Sequence, residues 1–319
     1  MNDLRMVVVS EDDLLLEAFI EALELVLPEE SSVVLVSLSG EEVASVLFRG
    51  RPLPFLDFDE VVQDEFALAV VLTSADVVEK NADWIYSFRC PVIGYHAVLQ
   101  SLHPVAMEHA DLDEVGIIGL VEPHVQVIRE ILDGMDCQSI DATLLHPVSV
   151  YGRKGVAELA TQTVRMLNAQ SLEAQVFHTR IPFNYFPFVN GPAGNRLQSL
   201  MNEQLGEAFP GATVHMEGVQ MPVFHGTGVI LSVILRDPVD AIELRDKWAG
   251  NPGIVLQDDA DFFSANDIAN TSSSLLLGNL VVSSEGGRGF RCWILFDEVK
   301  YSAGVQLMSP VNSLLKRQL

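Results

Sequence analysis

The apolar residues near the start of the chain fall into short runs separated by stretches with helical spacing. Met6 to Val9 and Val33 to Leu38 predict strands, and Leu14 to Leu27 predicts a helix that ends at Pro28. Later apolar runs predict buried strands at 66–72, 91–95 and 115–120. Strands buried on both faces and separated by helical lengths are typical of a parallel sheet covered on both sides. The sequence therefore predicts a Rossmann-like, doubly wound α/β domain.

From about Cys137 onward the pattern changes. Ser139 to Val150 predicts a long strand, and Gly155 to Asn168 predicts an amphipathic helix. Further runs predict strands at 219–224, 230–235, 275–282 and 290–296. These patterns indicate an antiparallel or mixed sheet, and such a sheet with one free face is a natural dimer surface.

The C-terminal segment completes the predicted domain organisation. Residues 302–319 predict a helix that returns to the first domain, with Pro310 as a weak point inside it. We therefore expect a first domain of residues 1–122, completed by 302–319, and an α+β second domain of residues 123–301.

Charge and composition exclude several classes of function. The chain has 19 Lys and Arg residues against 44 Asp and Glu residues, and its formal net charge of −25 repels nucleic-acid phosphates. The N-terminus lacks the pattern of a secretory signal, and Gly218 to Leu235, an uncharged stretch as long as any in the chain, contains Pro222 and His225. We therefore expect a cytoplasmic protein with no membrane segment and no nucleic-acid partner. The spacing of the cysteines and histidines predicts neither a disulfide framework nor a metal site.

Three segments in the middle of the chain resemble the aspartate-semialdehyde dehydrogenase family, and in particular its Usg-like branch. They are His146-Pro-Val-Ser-Val-Tyr-Gly, Ile181-Pro-Phe-Asn-Tyr-Phe-Pro and Gln220-Met-Pro-Val-Phe-His-Gly-Thr, in the family's order and spacing. The resemblance is specific over about 141–228 and rests mostly on element order in the first domain. It implies a dinucleotide-binding domain joined to a dimerisation domain that carries most of the catalytic groups.

The residues that carry the family's reaction differ in this chain. The family uses a cysteine nucleophile, a histidine for proton transfer, a glutamine that orients the nucleophile and arginines that bind the substrate. The resemblance places Pro123 at the cysteine, His146 at the glutamine, Thr227 at the histidine and Gln220 at a substrate-binding arginine. Proline has no nucleophile and threonine is no base near neutral pH, so we expect the family's reaction to be lost.

Five residues are candidates for residual substrate binding, and each has a structural alternative. They are Arg153, Lys154, Asn184, Gln220 and His225. Arg153 and Lys154 also fit a solvated strand-to-helix turn, His225 fits a hydrogen-bonded core position, and Asn184 fits a residue that satisfies loop backbone groups. The aromatic residues around Asn184 indicate packing at a domain or subunit contact.

The loop after the first predicted strand also departs from the family. The resemblance places Ser10, Asp13 and Leu16 where relatives have three glycines, with Glu11 and Asp12 between them. These side chains fill the space of a pyrophosphate, and each carboxylate near a phosphate charge costs about 1 kcal/mol in water-like surroundings. Ser10 and Asp13 have the spacing of a capping box, in which both side chains bind N–H groups at the helix start. We therefore expect an internal anion and no bound cofactor.

These observations favour a catalytically degenerate homologue, a pseudoenzyme that forms a homodimer through its second domain and contacts other proteins. Two other interpretations stay open. The first is a working NAD(P)-dependent semialdehyde dehydrogenase or other oxidoreductase with a site rebuilt from His146, Arg153, Lys154 and His225. The second is a sensor that binds a small ligand between the two domains.

Overall fold

The structure is a computed structural model of the 319-residue chain. It describes residues 4–11, 13–38, 45–61, 65–99, 102, 105–107, 116–191, 194–257, 263–268, 275–283 and 287–317. The chain divides into two compact units, Met1–Glu122 with Ser302–Leu319 and Pro123–Tyr301. Within the described ranges, no helix combines the length and apolar character that crossing a bilayer requires.

A parallel sheet forms the centre of the first unit. The strands of this unit are β1 Arg5–Val9, β2 Ser32–Val36, β3 Val46–Phe48, β4 Arg51–Leu53, β5 Phe55–Leu56, β6 Leu68–Val71, β7 Val92–Tyr95, β8 Val105–Met107 and β9 Ile117–Leu120. β3 and β4 form a separate hairpin, and the others lie in the order β5-β2-β1-β6-β7-β9-β8. The strand order changes direction between β1 and β6, which is where doubly wound folds bind ligands.

Helices cover this sheet. Their apolar residues recur at helical spacing, which places them on one face of each helix, against the sheet. They are α1 Leu14–Val26, α2 Phe58–Val61, α3 Ala75–Lys80, α4 Ala82–Ile85 and α5 His96–Leu99. On α1, the side chains of Leu16, Phe19, Ile20 and Leu23 are all buried in one core with the sheet.

The C-terminal segment belongs to the same core. A π-helix, Ser302–Leu307, leads into a C-terminal helix, Met308–Arg317, and both contribute buried residues. Pro310 does not break this helix, which continues to Arg317, and it lies three residues after the end of the π-helix at Leu307.

The second unit is built on a mixed sheet. Its strands are β10 Cys137–His146, β11 Phe186–Pro187, β12 Thr213–Gln220, β13 Thr227–Leu235, β14 Ile254–Leu256, β15 Leu275–Val282 and β16 Gly289–Phe296. They lie in the order β11-β12-β10-β13-β16-β15-β14, with β10 parallel to β12 and antiparallel to β13. The predicted fold class, a Rossmann-like domain joined to an α+β domain, is confirmed.

Within the described ranges, short 3₁₀ turns and helices complete the second unit. The turns are Val148–Tyr151 and Phe188–Asn190, and the helices are α6 Pro123–Ile131, α7 Gly152–Leu167, α8 Gly194–Ala208, α9 Ala241–Ala249, α10 Ala265–Ile268 and α11 Glu298–Tyr301. Along β13, Val229, Leu231 and Val233 are buried, and the alternate residues Ile230 and Ile234 are more exposed.

Two strand predictions were wrong at their ends. The strand predicted to reach Val150 ends at His146, because Pro147 cannot donate to the ladder. The strand predicted at 219–224 is the end of β12, which stops at Gln220 before Pro222, and half-buried His225 lies in the following turn instead of a core strand.

Candidate functional site

The loop between β1 and α1 is shaped by its own carboxylates. Asp13 is the N-cap of α1, and its Oδ1 accepts a 2.7 Å hydrogen bond from the backbone N–H of Leu14. The hydroxyl of Ser10 instead donates to the carbonyl of Glu11 at 2.9 Å. The predicted capping box was therefore wrong, because α1 begins at Leu14 and makes Asp13 the cap in place of Ser10. Asp12 lies outside the described residues.

Two further side chains fill the region where the family has a glycine-rich turn. Leu16, at the third glycine position, is fully buried in the core between α1 and the sheet. Glu11 Oε1 accepts a 3.2 Å hydrogen bond from the hydroxyl of Thr73. Because Glu11 follows β1 and Thr73 follows β6, this bond crosses the switch point of the sheet.

In the second unit, Pro123 is buried at the first position of α6. The N–H group at this helix position has no partner within the helix, so proline costs nothing there. The next residue, His124, was not among the predicted site residues. Its ring lies 4.9 Å from the ring of His146, measured between centroids, and 5.7 Å from that of Phe296.

His146 and Gln220 stand opposite each other at the ends of two parallel strands. His146 closes β10, Gln220 closes β12, and the amide of Gln220 donates to the carbonyl of His146 at 3.1 Å. Both side chains are fully buried, and the imidazole of His146 stacks on Phe188 with 3.9 Å between ring centroids. The structure therefore brings together the positions assigned to the family's glutamine and arginine.

The two imidazoles are neutral near physiological pH. Burial lowers the pKa of His124 to about 4, and burial together with His124 lowers the pKa of His146 well below its usual value. Within the described part of the chain, the ring nitrogens of both residues have no hydrogen-bond partner. A buried polar group that stays unsatisfied costs about 1–3 kcal/mol.

Thr227 is bonded to a buried acid that the sequence did not single out. Its hydroxyl donates to Glu298 Oε2 at 2.9 Å, and the hydroxyl of Ser149 donates to Glu298 Oε1. Burial raises the pKa of Glu298 to about 7, and Asp297 adds to the rise, although the two hydroxyls oppose it. Thr227 therefore donates a hydrogen bond to a buried carboxyl group. It does not move a proton, as a histidine at this position would.

The other candidates for substrate binding are Arg153, Lys154 and Asn184. Arg153 and Lys154 lie in the first turn of α7, where Lys154 is exposed. The side-chain amide of Asn184 donates to the carbonyl of Arg180 at 2.8 Å, so it satisfies loop backbone as its structural alternative predicts.

Neither a nucleophilic thiol nor a metal centre is evident in the described residues. All three cysteines are buried, and burial raises the pKa to about 11 for Cys90 and Cys137 and to about 12 for Cys292. Because the thiolate is the reactive form, these residues are inert near neutral pH. No group of three or more His, Cys, Asp or Glu side chains in the described ranges is placed to bind a metal ion.

Comparison with solved structures supports the fold over nearly the whole chain. Aspartate semialdehyde dehydrogenase II from Vibrio cholerae aligns with a TM-score of 0.86 at 21% identity, covering 99% of both chains. A probable aspartate-semialdehyde dehydrogenase from Pseudomonas aeruginosa aligns with a TM-score of 0.85 at 21% identity, covering 100% of both. At this level of identity the likeness establishes the fold alone.

Sequence comparison identifies the family. Aspartate-semialdehyde dehydrogenase 2 of Vibrio cholerae is 27% identical over 194 residues, which span 59% of this chain and 58% of that relative. The USG-1 protein homolog of Pseudomonas aeruginosa is 23% identical over 285 residues, 82% of this chain and 83% of the relative. Residues 130–300, more than half of the chain, match the semialdehyde dehydrogenase dimerisation domain. The chain therefore belongs to the semialdehyde dehydrogenase dimerisation-domain family.

Proposed function

We propose that this protein is a catalytically degenerate homologue of aspartate-semialdehyde dehydrogenase that acts as a dimeric interaction protein. The observation that carries the proposal is Pro123, which occupies the helix start where the resemblance places the nucleophilic cysteine. The three thiols of the chain are buried elsewhere with raised pKa values. Acyl transfer through sulfur therefore lacks its nucleophile.

The residues at the other family positions support the same conclusion. Gln220 is neutral where the family has a substrate-binding arginine, and its amide is bonded to the backbone of β10. Thr227 donates to Glu298, and His146 is a buried imidazole stacked on Phe188. A residue cluster of this kind has neither the fixed positive charge that binds a carboxylate or phosphate nor an accessible base.

The loop after β1 does not fit a dinucleotide in the usual pose. Leu16 is a core residue, Asp13 already accepts the first N–H of α1, and Glu11 is bonded across the switch point to Thr73. A pyrophosphate would have to displace these bonds and lie beside two carboxylates. We therefore propose that the first unit folds without NAD or NADP.

The open face of the second-unit sheet supports a homodimer. Ile230 pairs with Trp293 across β13 and β16, and neither side chain is fully buried. Ile234, four residues further along β13 on the same face, is 47% exposed. A second copy of this face would cover these apolar side chains, as expected for a self-complementary contact.

A turnover assay tests the loss of activity. The purified chain is incubated with aspartate semialdehyde, phosphate and NADP or NAD, and reduced coenzyme is followed beside an active family member. We expect no turnover above the rate without protein. The variant Pro123→Cys is expected to be inactive too, because Gln220 and Thr227 still lack the family's charge and base. Turnover by the unmodified chain would overturn the proposal.

A further inference from the structure

A groove of about 540 Å³ lies beside the β3–β4 hairpin of the first unit. Its size is in the usual range for ligand pockets, roughly 300–1,000 Å³. Residues that line it include Glu29, Ser32, Val33, Phe48, Arg51 and Leu53. Ser32 and Val33 begin β2, whereas the switch point lies at the carboxyl ends of the strands. The groove is therefore separate from the region where doubly wound folds bind a coenzyme.

The groove forms because the hairpin does not join the parallel sheet. β5 pairs with β2 at Leu35 and Val36, near the end of β2. The chain just before β5 pairs with itself instead, as β3 and β4, in a separate two-stranded sheet. The space between the start of β2 and the hairpin is therefore not closed by strand pairing with β5.

Arg49, in the turn of the hairpin, holds one wall of the groove in place. Arg49 and Gly50 have φ values of 51° and 71°, and this left-handed conformation costs energy for a residue with a Cβ. The guanidinium group of Arg49 donates to the carbonyls of Leu27, Pro28 and Glu29, just after α1, at 2.7–2.9 Å. These bonds offset the cost of the turn and fix a charged wall before any ligand binds.

Arg51 supplies a positive charge that the fold does not use. Its side chain is exposed, and no carboxylate among the described residues is paired with it. This is unexpected in the first unit, which has 24 Asp and Glu residues against seven Lys and Arg residues. In the described lining, Glu29 is the one acid beside two arginines, and Val33, Phe48 and Leu53 add apolar surface. The groove therefore combines an apolar wall with a net positive charge.

We propose that this groove binds a small organic carboxylate with an apolar body. A guanidinium group matches a carboxylate in shape and charge, so Arg51 binds the carboxylate while the apolar body covers Phe48 and Leu53. A single negative charge is favoured because Glu29 repels a dianion, such as a phosphate monoester, more strongly than a monoanion. The inference involves residues of the first unit alone, so it does not rest on the lost reaction or on the dimer proposed above.

Ligand-observed NMR titration of the full chain tests this site with benzoate and hexanoate as probes. We expect a dissociation constant of about a millimolar or tighter for at least one of the two. Benzamide, which has the shape of benzoate without its charge, should bind at least about tenfold more weakly, because it lacks the charge-assisted bonds. Phenyl phosphate should also bind more weakly than benzoate. Tighter binding of phenyl phosphate would overturn the assignment to carboxylates.

Two groove variants and one matched control locate the binding. Arg51→Gln removes the charge and should weaken binding at least about tenfold. Ser32→Phe, at an exposed strand position that tolerates an aromatic residue, fills the groove without changing its charge and should abolish binding. Arg89→Gln removes an exposed arginine elsewhere in the first unit and should leave binding unchanged. The inference is wrong if neither carboxylate binds below about 10 mM, if both groove variants bind like the parent, or if Arg89→Gln weakens binding as much as Arg51→Gln.

Discussion

The hydroxyl of Thr73 donates to the carboxylate of Glu11 across the switch point of the parallel sheet, at 3.2 Å. In doubly wound folds this is where a ligand phosphate meets a helix N-terminus. Here the same region is occupied by Glu11 and by Asp13, which caps α1. The first backbone N–H of α1 therefore already has a carboxylate acceptor within the protein.

Removal of the cap should destabilise the first unit. Asp13→Ala leaves the N–H of Leu14 without its side-chain acceptor, so we expect a loss of about 1 kcal/mol in the free energy of unfolding. Asp13→Asn is the matched control, since asparagine caps about equally well. Urea unfolding of the three proteins measures the difference. Equal stability of Asp13→Ala and the parent would show that the cap is not needed.

The His124 imidazole should make stability decrease as the pH falls. Its pKa is about 4 in the folded protein against an ordinary value of 6.5, so below pH 6.5 the unfolded chain binds a proton that the folded chain does not. Stability present above pH 6.5 is lost toward pH 4, by about 3 kcal/mol. Urea unfolding between pH 4.5 and 7.5 should show a smaller loss for His124→Phe than for the parent. If the free energies of unfolding of the two proteins fall equally with pH, the His124 imidazole is not the cause of the loss.

Glu298 should make stability decrease as the pH rises, which is the opposite of the effect of His124. Its pKa is raised from 4.5 to about 7, so the folded protein retains a proton that the unfolded chain releases. This contribution is complete below pH 4.5 and is lost as the pH rises through 7, by about 3 kcal/mol. Glu298→Gln keeps a hydrogen-bonding group for Ser149 and Thr227 but cannot ionise. Its stability relative to the parent should therefore increase between pH 5 and 8, and a constant difference would contradict the assignment.

Glu158 on α7 should contribute far more to stability than Glu173 in the segment that follows α7. Glu158→Ala leaves three backbone N–H groups of residues 175–177 without their acceptor, for an expected loss of about 2–4 kcal/mol. Glu173→Ala removes only an exposed ion pair with Arg165, worth less than about 1 kcal/mol. Thermal and urea unfolding compare the two variants. Similar losses would mean that the segment at 175–177 does not depend on the Glu158 bonds.

Elements with clear hydrophobic periodicity could be predicted from the sequence. The strands β1, β2, β6, β7 and β9 were located because each is a buried apolar run, and α1 because its buried residues repeat at helical spacing. Helix α8 was missed, since its buried face includes Gln198 and Gln204 beside Leu200 and Leu205, and the polar residues hide the pattern. The predicted capping box was wrong for a smaller reason: the N-cap of α1 is Asp13, three residues after the predicted cap Ser10.

The candidate site depends on contacts between residues far apart in the sequence, which local sequence patterns do not predict. Thr227 could be assigned through the resemblance because it ends a recognisable segment, and Pro123 because it follows a predicted strand where the family's helix begins. Glu298 meets Ser149 from 149 positions away and Thr227 from 71 positions away. A glutamate just after a strand is ordinary in an acidic chain, so its burial and its partners emerge only from the fold.

Calorimetric titration of the purified chain with NADP, repeated with NAD, tests most directly whether the protein has replaced the coenzyme phosphate with its own carboxylates. We predict no binding tighter than a dissociation constant of about 1 mM, or roughly −4 kcal/mol. Micromolar binding of either nucleotide, with the two nucleotides competing for one site, would contradict the account.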